Sequence, residues 1–237
     1  MAADSEAREP ASEVKFLIDS DTADAVRTWA RHHVGADPFA NSETSSYATN
    51  SLYFDTEDLD VLRENGSYAR SKYRVRRYGD GPAIFLERKM RKHGVVTKRR
   101  SIIGLEQLNR LDNLQTERGW KGFWFHRRIL ARELRPVCQV SYRRFARVTE
   151  TNTELLRLTI DSHLFVRQTG AMAFGEMENS LELSENRRIL ELKFRREIPL
   201  LFQKFVTDFG LVPATVSKYR LAAAALGFSA SQAREAA

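Results

Sequence analysis

Cysteine is nearly missing from this chain: Cys138 stands alone in 237 residues. No disulfide can close within it, and a reducing compartment is the simpler expectation. No stretch approaches the roughly 20 apolar residues that a membrane helix needs. The opening MAADSEAREPAS carries neither the basic n-region nor the apolar h-region of a secretory signal. A soluble, cytoplasmic protein is expected. The phosphate-binding loops G-x-x-x-x-G-K-[ST] and G-x-G-x-x-G are absent, since Gly79 and Gly81 make only a turn signal. The histidines (His32, His33, His93, His126 and His163) lack metal-ligand spacing, so surface or packing roles are expected for them. Cys138, within an apolar strand pattern, is expected to be an inert core thiol. No linker composition and no internal repeat divide the chain. One domain over residues 13–228 is expected, between disordered tails at 1–12 and 229–237.

Positive charge is plentiful and concentrated. The net charge is +7, yet between Arg63 and Arg100 there are 13 Lys or Arg against 3 acidic residues, and the remainder is slightly acidic. A polyanionic partner is the natural reading, because focused positive potential raises local anion concentration and association rate.

Alternation of apolar and polar residues predicts strands over 13–18, 47–54, 68–78, 83–89, 95–103, 137–147, 155–160, 164–168 and 188–194. Helices are expected after Asp21 as N-cap, over much of 105–134, in IPLLFQKFVTDFG, and in SKYRLAAAALGF with Ser217 as N-cap. Short glycine-containing connections near GDGP and HG suggest an antiparallel meander. The aromatic segment GWKGFWFH, 119–126, is expected to pack in the core.

Period two gives each strand an ionic and an apolar face. Glu13 and Lys15 share a face, as do Lys72, Arg74 and Arg76; Glu87 and Lys89; Arg157, Thr159 and Asp161; and Glu191 and Lys193. The other faces carry Val14, Phe16 and Ile18; Ile84 and Leu86; Leu156, Leu158 and Ile160; and Leu190, Leu192 and Phe194, the last set expected on the C-terminal helices. A one-sided sheet with charges in water explains any single strand. Five strands alike are better explained by a closed sheet with its charge turned inward around an anion, because buried cations left unpaired are costly. Glu87 and Asp161 suit either metal binding or pairing with neighbouring arginines. Arg88, Arg91, Lys92, Arg99 and Arg100 are expected as solvated charges outside.

The ordered pieces Glu13-x-Lys15, SLYFD (51–55), YRVRRYG (73–79), FLERK (85–89), TKRR (97–100), SYRRFA (141–146), LRLTID (156–161), ILELKF (189–194) and SKY (217–219) resemble the VTC domain. That domain is the polyphosphate polymerase module of the CYTH-like triphosphate tunnel metalloenzymes. The resemblance spans about 13–227 and implies an α+β fold, an antiparallel tunnel of about eight strands with flanking helices. It further implies transfer of the ATP γ-phosphate to a polyphosphate chain with Mn²⁺ or Mg²⁺ as cofactor. Carried over by position, phosphate ligands would be Lys15, Arg74, Arg76, Lys89, Lys98, Arg144, Arg157, Lys193 and Lys218, with Arg143 a neighbouring alternative to Arg144. Glu191 would hold the metal and, with Arg74, Arg76 and Lys89, form the catalytic set. Ser217 and Tyr219 would either touch phosphate or help start the last helix. The residue types suit the chemistry, since phosphoryl transfer needs positioning and charge neutralisation, and arginine pairs with two oxygens at once.

Two alternatives compete. Tunnel triphosphatases and cyclases usually carry a fuller E-x-E-x-K, and Ala11 stands where its first glutamate would be. A non-catalytic polyanion-binding module has no use for Glu191. Nucleic acid is disfavoured because the basic strands offer few aromatics besides Tyr73 and Tyr78. Direct membrane insertion is not expected, and a membrane partner protein stays open.

Overall fold

The computed structural model describes residues 11–92, 95–151, 154–183 and 186–228. Most of the expected tails, and the HG turn at 93–94, lie outside the described residues. An antiparallel sheet dominates, in the strand order β1-β9-β7-β6-β2-β3-β4-β5, with the short β8 paired to β7. Its strands are β1 (Ala11–Ile18), β2 (Ser46–Asp55), β3 (Ser71–Tyr78), β4 (Ala83–Lys92), β5 (Val95–Gly104), β6 (Arg135–Glu150), β7 (Leu155–Gln168), β8 (Leu181–Glu182) and β9 (Arg188–Arg195). The helices are α1 (Ser20–His33), α2 (Asp60–Arg63), α3 (Phe123–Leu130), α4 (Leu200–Asp208) and α5 (Lys218–Ala225), with 3-10 turns at Gly66–Arg70 and Leu105–Asp112. The α+β class and the antiparallel sheet are as expected. Among the described residues no helix is long and apolar enough to cross a membrane.

Local chemistry corrects several expectations. The α1 N-cap is Asp19 rather than Asp21: its Oδ1 accepts from the Thr22 amide at 2.7 Å. The strands expected at 155–160 and 164–168 are one strand, β7. Burial runs through it without a break of parity, at Leu156, Leu158, Ile160, Ser162, Leu164 and Val166. Residues 68–70 form the end of a 3-10 turn, not the start of β3, and 105–134 is helical only in parts.

Two compact units divide the described chain. The first holds residues up to Tyr47 with Arg144–Ser162 and Asn186–Val216. Its core joins Phe16 and Ile18 of β1, Leu156, Leu158 and Ile160 of β7 and Leu190, Leu192 and Phe194 of β9 to Ala23, Val26 and Ala30 of α1 and Phe202 and Phe205 of α4. The apolar face of β9 therefore packs with α1 and α4, whereas α5 belongs to the other unit. Gly35 is required where α1 ends, because a Cβ there would lie 2.7 Å from the Val148 carbonyl oxygen.

The second unit holds Ala48–Arg143, His163–Glu185 and the described residues from Ser217 on. Its β3-β4-β5 meander turns at Gly79, whose φ of +53° suits a residue without Cβ. Phe54 and Tyr73 meet the ring of Phe125 edge-on at 5.6 and 5.8 Å, so the aromatic segment 119–126, which runs into α3, packs as expected. Cys138 is fully buried, and burial pushes its thiol up to about 12.

Candidate functional site

In the second unit, register stacks charge along one face of the meander. Lys72 lies opposite Lys89, Arg74 opposite Glu87, Lys89 opposite Lys98 and Glu87 opposite Arg100. Glu87, 2% exposed, sits at the centre. Arg74 reaches it at 2.6 Å, Lys98 at 2.6 Å and Arg100 at 2.8 Å. Burial alone would raise the Glu87 carboxyl, but Arg74, Arg76, Lys98 and Arg100 outweigh it and hold the pKa far below the carboxylate range. One ionised carboxylate thus gathers three direct cations, and the cluster is net positive.

Arg100 corrects the sequence reading. It is not a solvated outsider: it donates to Glu87 and to the Tyr78 hydroxyl at 3.0 Å, and its guanidinium lies 4.2 Å from the Phe85 ring centroid. The signal was available, since Lys98 and Arg100 share parity on β5. Arg99 points the other way and covers the Trp124 ring at 4.5 Å.

The neighbours of this cluster are ordered by two motifs. Arg76, buried, donates to Ser51 at 3.0 Å and lies over the rings of Tyr78 and Tyr142. Lys218 stands 4.9 Å from the Tyr142 centroid, and Lys72 reaches Ser217 at 3.5 Å. Lys218 opens α5, where Ser217 caps Arg220. Tyr219 does not serve the cluster directly: its hydroxyl donates to buried Asp55. Asp55 also accepts from the Thr56, Val61 and Leu62 amides. The ends of SLYFD and SKY are therefore one hydrogen-bonded joint that sets where Lys218 begins.

The cations alter each other and the phenols among them. Burial lowers Lys98, Glu87 opposes that, and Arg100 and Arg74 add to the lowering, bringing it to about 8 although 47% of the side chain stays exposed. Burial also pushes Tyr78 up, but Arg76 and Arg100 win and lower it to about 8. Tyr53, buried among Arg74, Arg76 and Lys218, lies below its ordinary value for the same reason. Three cations sharing one carboxylate leave the direct contact set of Glu87 net positive, a condition that favours holding an anion.

The first unit builds a different arrangement. Register places Lys15 opposite Glu191, Glu13 opposite Lys193, Arg157 opposite Lys193 and Thr159 opposite Glu191. Lys15 meets Glu13 at 2.6 Å and Glu191 at 3.6 Å; Lys193 meets Glu191 at 2.9 Å and Glu13 at 3.6 Å. Two carboxylates and two ammoniums alternate in a square of contacts. Burial would lower Lys15, but Glu191 and Glu13 raise it above its ordinary value. Arg157 is held by Asp37 at 2.8 Å and by the Tyr47 hydroxyl at 3.3 Å. Arg144 makes a buried two-point pair with Asp161, at 2.6 and 2.8 Å. Asp37 and the second carboxylate, Glu13, were not singled out as site residues from sequence; Asp37 lies 120 positions from Arg157, and no local signal links them.

Among the described residues no three His, Cys, Asp or Glu side chains gather as a ready-made metal cage. The square still fits a hard divalent ion. Glu13 and Glu191 offer carboxylate oxygens, and beside Glu191 the buried Thr159 Oγ1 has no hydrogen-bond partner among the described residues. One or two carboxylates with substrate oxygens and water are what Mg²⁺ or Mn²⁺ usually takes.

The family model of the VTC domain matches residues 11–227. No curated protein matches the chain in sequence. Among solved structures, a candidate adenylate cyclase from Bacillus halodurans is similar with a TM-score of 0.54 at 14% identity, over 88% of this chain and 94% of its own. A candidate adenylyl cyclase from Hippeastrum, described as having a dominant triphosphatase activity, is similar with a TM-score of 0.50 at 16% identity, over 90% of this chain and 94% of its own. At such identities these likenesses concern the fold alone.

Proposed function

Because the chain belongs to the VTC domain family, we propose that it is a polyphosphate polymerase-like enzyme that moves the γ-phosphoryl group of ATP to the end of a polyphosphate chain. The observation that carries this reading is the net-positive face of β3, β4 and β5, where Arg74, Lys98 and Arg100 converge on one buried carboxylate with Arg76 beside them. In the reaction a terminal oxygen of the chain bonds to the γ-phosphorus. The bond to the β,γ-bridging oxygen breaks, ADP leaves with that electron pair, and the chain is one phosphate longer. Arg74, Arg76, Lys89, Lys98 and Lys218 bind and orient phosphate oxygens and neutralise charge on the transferring group. Lys15, Lys193, Arg157 and Arg144 serve phosphate in the same way, Arg157 and Arg144 being held in place by Asp37 and Asp161. Glu191, with Glu13 and Thr159 beside it, would hold Mn²⁺ or Mg²⁺. Bound there, the ion supplies further neutralisation of phosphate oxygens.

A second reading, hydrolysis of a triphosphate with water as acceptor, is favoured by the Hippeastrum neighbour's described activity. Incubating the protein with ATP and Mn²⁺ and resolving products by phosphorus NMR separates the two. ADP with polyphosphate is expected; ADP with orthophosphate alone would establish the hydrolase, and binding without turnover a non-catalytic module.

A further inference from the structure

Glu87 is the odd member of its surroundings: a carboxylate at the centre of a face otherwise built to hold anions. Simple Coulomb attraction says that it should weaken phosphate binding. Its geometry says otherwise. It is 2% exposed, it stands on β4 between β3 and β5, and its two oxygens divide the neighbours between them. Oε2 takes Arg74 from β3, and Oε1 takes both Lys98 and Arg100 from β5. Arg74 and Arg100 each spend Nε on it. Arg100 is fixed a second time by the Tyr78 hydroxyl and a third by the Phe85 ring.

We propose that Glu87 is a positioning residue that holds Arg74, Lys98 and Arg100 together as a preassembled receptor for phosphate oxygens, and that Arg100 is a working member of that receptor. This rests on the reading of the face as a phosphate site and identifies what organises it. Without a shared anion, three cations this close repel and turn outward to water, and each must be ordered again when phosphate arrives. Preassembly moves that ordering cost into folding, where it no longer weakens binding. A neutral amide cannot replace the carboxylate, because its nitrogen presents hydrogens to a guanidinium that has only hydrogens to offer.

The charges facing Lys98 give a second readout. They are Glu87 and Lys89 from β4, Arg74 from β3 and Arg100 on its own strand. Glu87 alone among these favours the ammonium form, which is lost near pH 8 in the free protein. Removing Glu87 should move that loss to lower pH.

The test is calorimetric binding of tripolyphosphate by the full chain at several pH values, for wild type and for E87Q, R100Q, R74Q and R99A. E87Q is expected to weaken binding about tenfold at pH 7 and to start losing affinity at a lower pH than wild type. R100Q should weaken it about as much as R74Q, and R99A should match wild type. Folded E87Q that binds as tightly as wild type, or more tightly as Coulomb attraction alone predicts, overturns the role of Glu87. If E87Q does not fold, R100Q decides: binding unchanged from wild type overturns the receptor. Tight wild-type binding with either result leaves the phosphate-site reading standing, whereas no wild-type binding at any pH sinks that reading together with the receptor.

Discussion

The two ionic clusters are made by the same device, period-two alternation on paired antiparallel strands, yet they differ in balance. Around Glu87, one carboxylate serves Arg74, Lys98 and Arg100. In the first unit, Glu13 and Glu191 meet Lys15 and Lys193, and Asp161 takes Arg144 at two points. Where each cation has a carboxylate beside it, the pair also holds structure together. An unmatched cluster keeps attraction in reserve for an anion from outside. Charge count within a contact set, rather than the number of basic residues, tells where attraction for an outside anion is strongest and where carboxylates also position cations.

Breaking a matched pair should cost the fold most. Asp161→Asn leaves the buried Arg144 guanidinium without its carboxylate, and a loss of about 3–5 kcal/mol in urea unfolding is expected. A loss below about 1 kcal/mol would mean that Arg144 finds another anion, or water, at once. Next in size, Glu191→Gln should reduce Mn²⁺-dependent turnover about 100-fold or more while tripolyphosphate binding and the circular dichroism spectrum are kept. Full activity would remove the metal role, and an unfolded variant would make Glu191 purely one corner of the square.

In the unmatched cluster the effects should fall on affinity. Arg74→Ala, Arg76→Ala and Arg100→Ala are each expected to lose about 2 kcal/mol of tripolyphosphate binding, roughly 30-fold, with catalytic efficiency following. Arg99→Ala, on the other face over Trp124, should stay within about twofold. Equal losses across all four would erase the distinction between the faces.

The smallest effect is the pH dependence. Lys98 is lowered to about 8, so below that pH the free protein already carries the ammonium that an anion prefers. Bound phosphate raises this pKa, and as pH climbs past 8 binding must take up a proton. Affinity should then fall, by about tenfold between pH 7 and 9. Tyr78, also lowered to about 8, adds a phenolate in the same range and acts in the same direction. Affinity that rises over this interval would show that neither group faces the anion.

Much of this was legible in the chain because strand faces are a local property. Lys15 with Glu13, Arg74 with Arg76 and Glu191 with Lys193 follow from spacing alone, since residues two apart on a strand must share a side. The same rule applied to TKRR joins Arg100 to Lys98; reading that run as a block of surface charge hid it. Helix caps were half legible. Ser217 begins α5 as its sequence suggests, whereas Asp19 and Asp21 are both good caps by composition and only the path of the backbone selects Asp19.

By itself, then, the sequence determined the class of fold, the alternation of ionic and apolar faces and the concentration of cations on the central strands, because propensity and periodicity act between near neighbours. Tertiary structure decided which charges meet. The register that sets Lys15 opposite Glu191 joins residues far apart in the chain, and so does the pairing of Arg157 with Asp37. The Tyr219–Asp55 joint that fixes the start of α5 spans 164 positions. Strand pairing and burial make such contacts, and no local pattern encodes the partner: a carboxylate reads alike in sequence whether it ends as one corner of a square shared with a second carboxylate or as the shared centre of three cations.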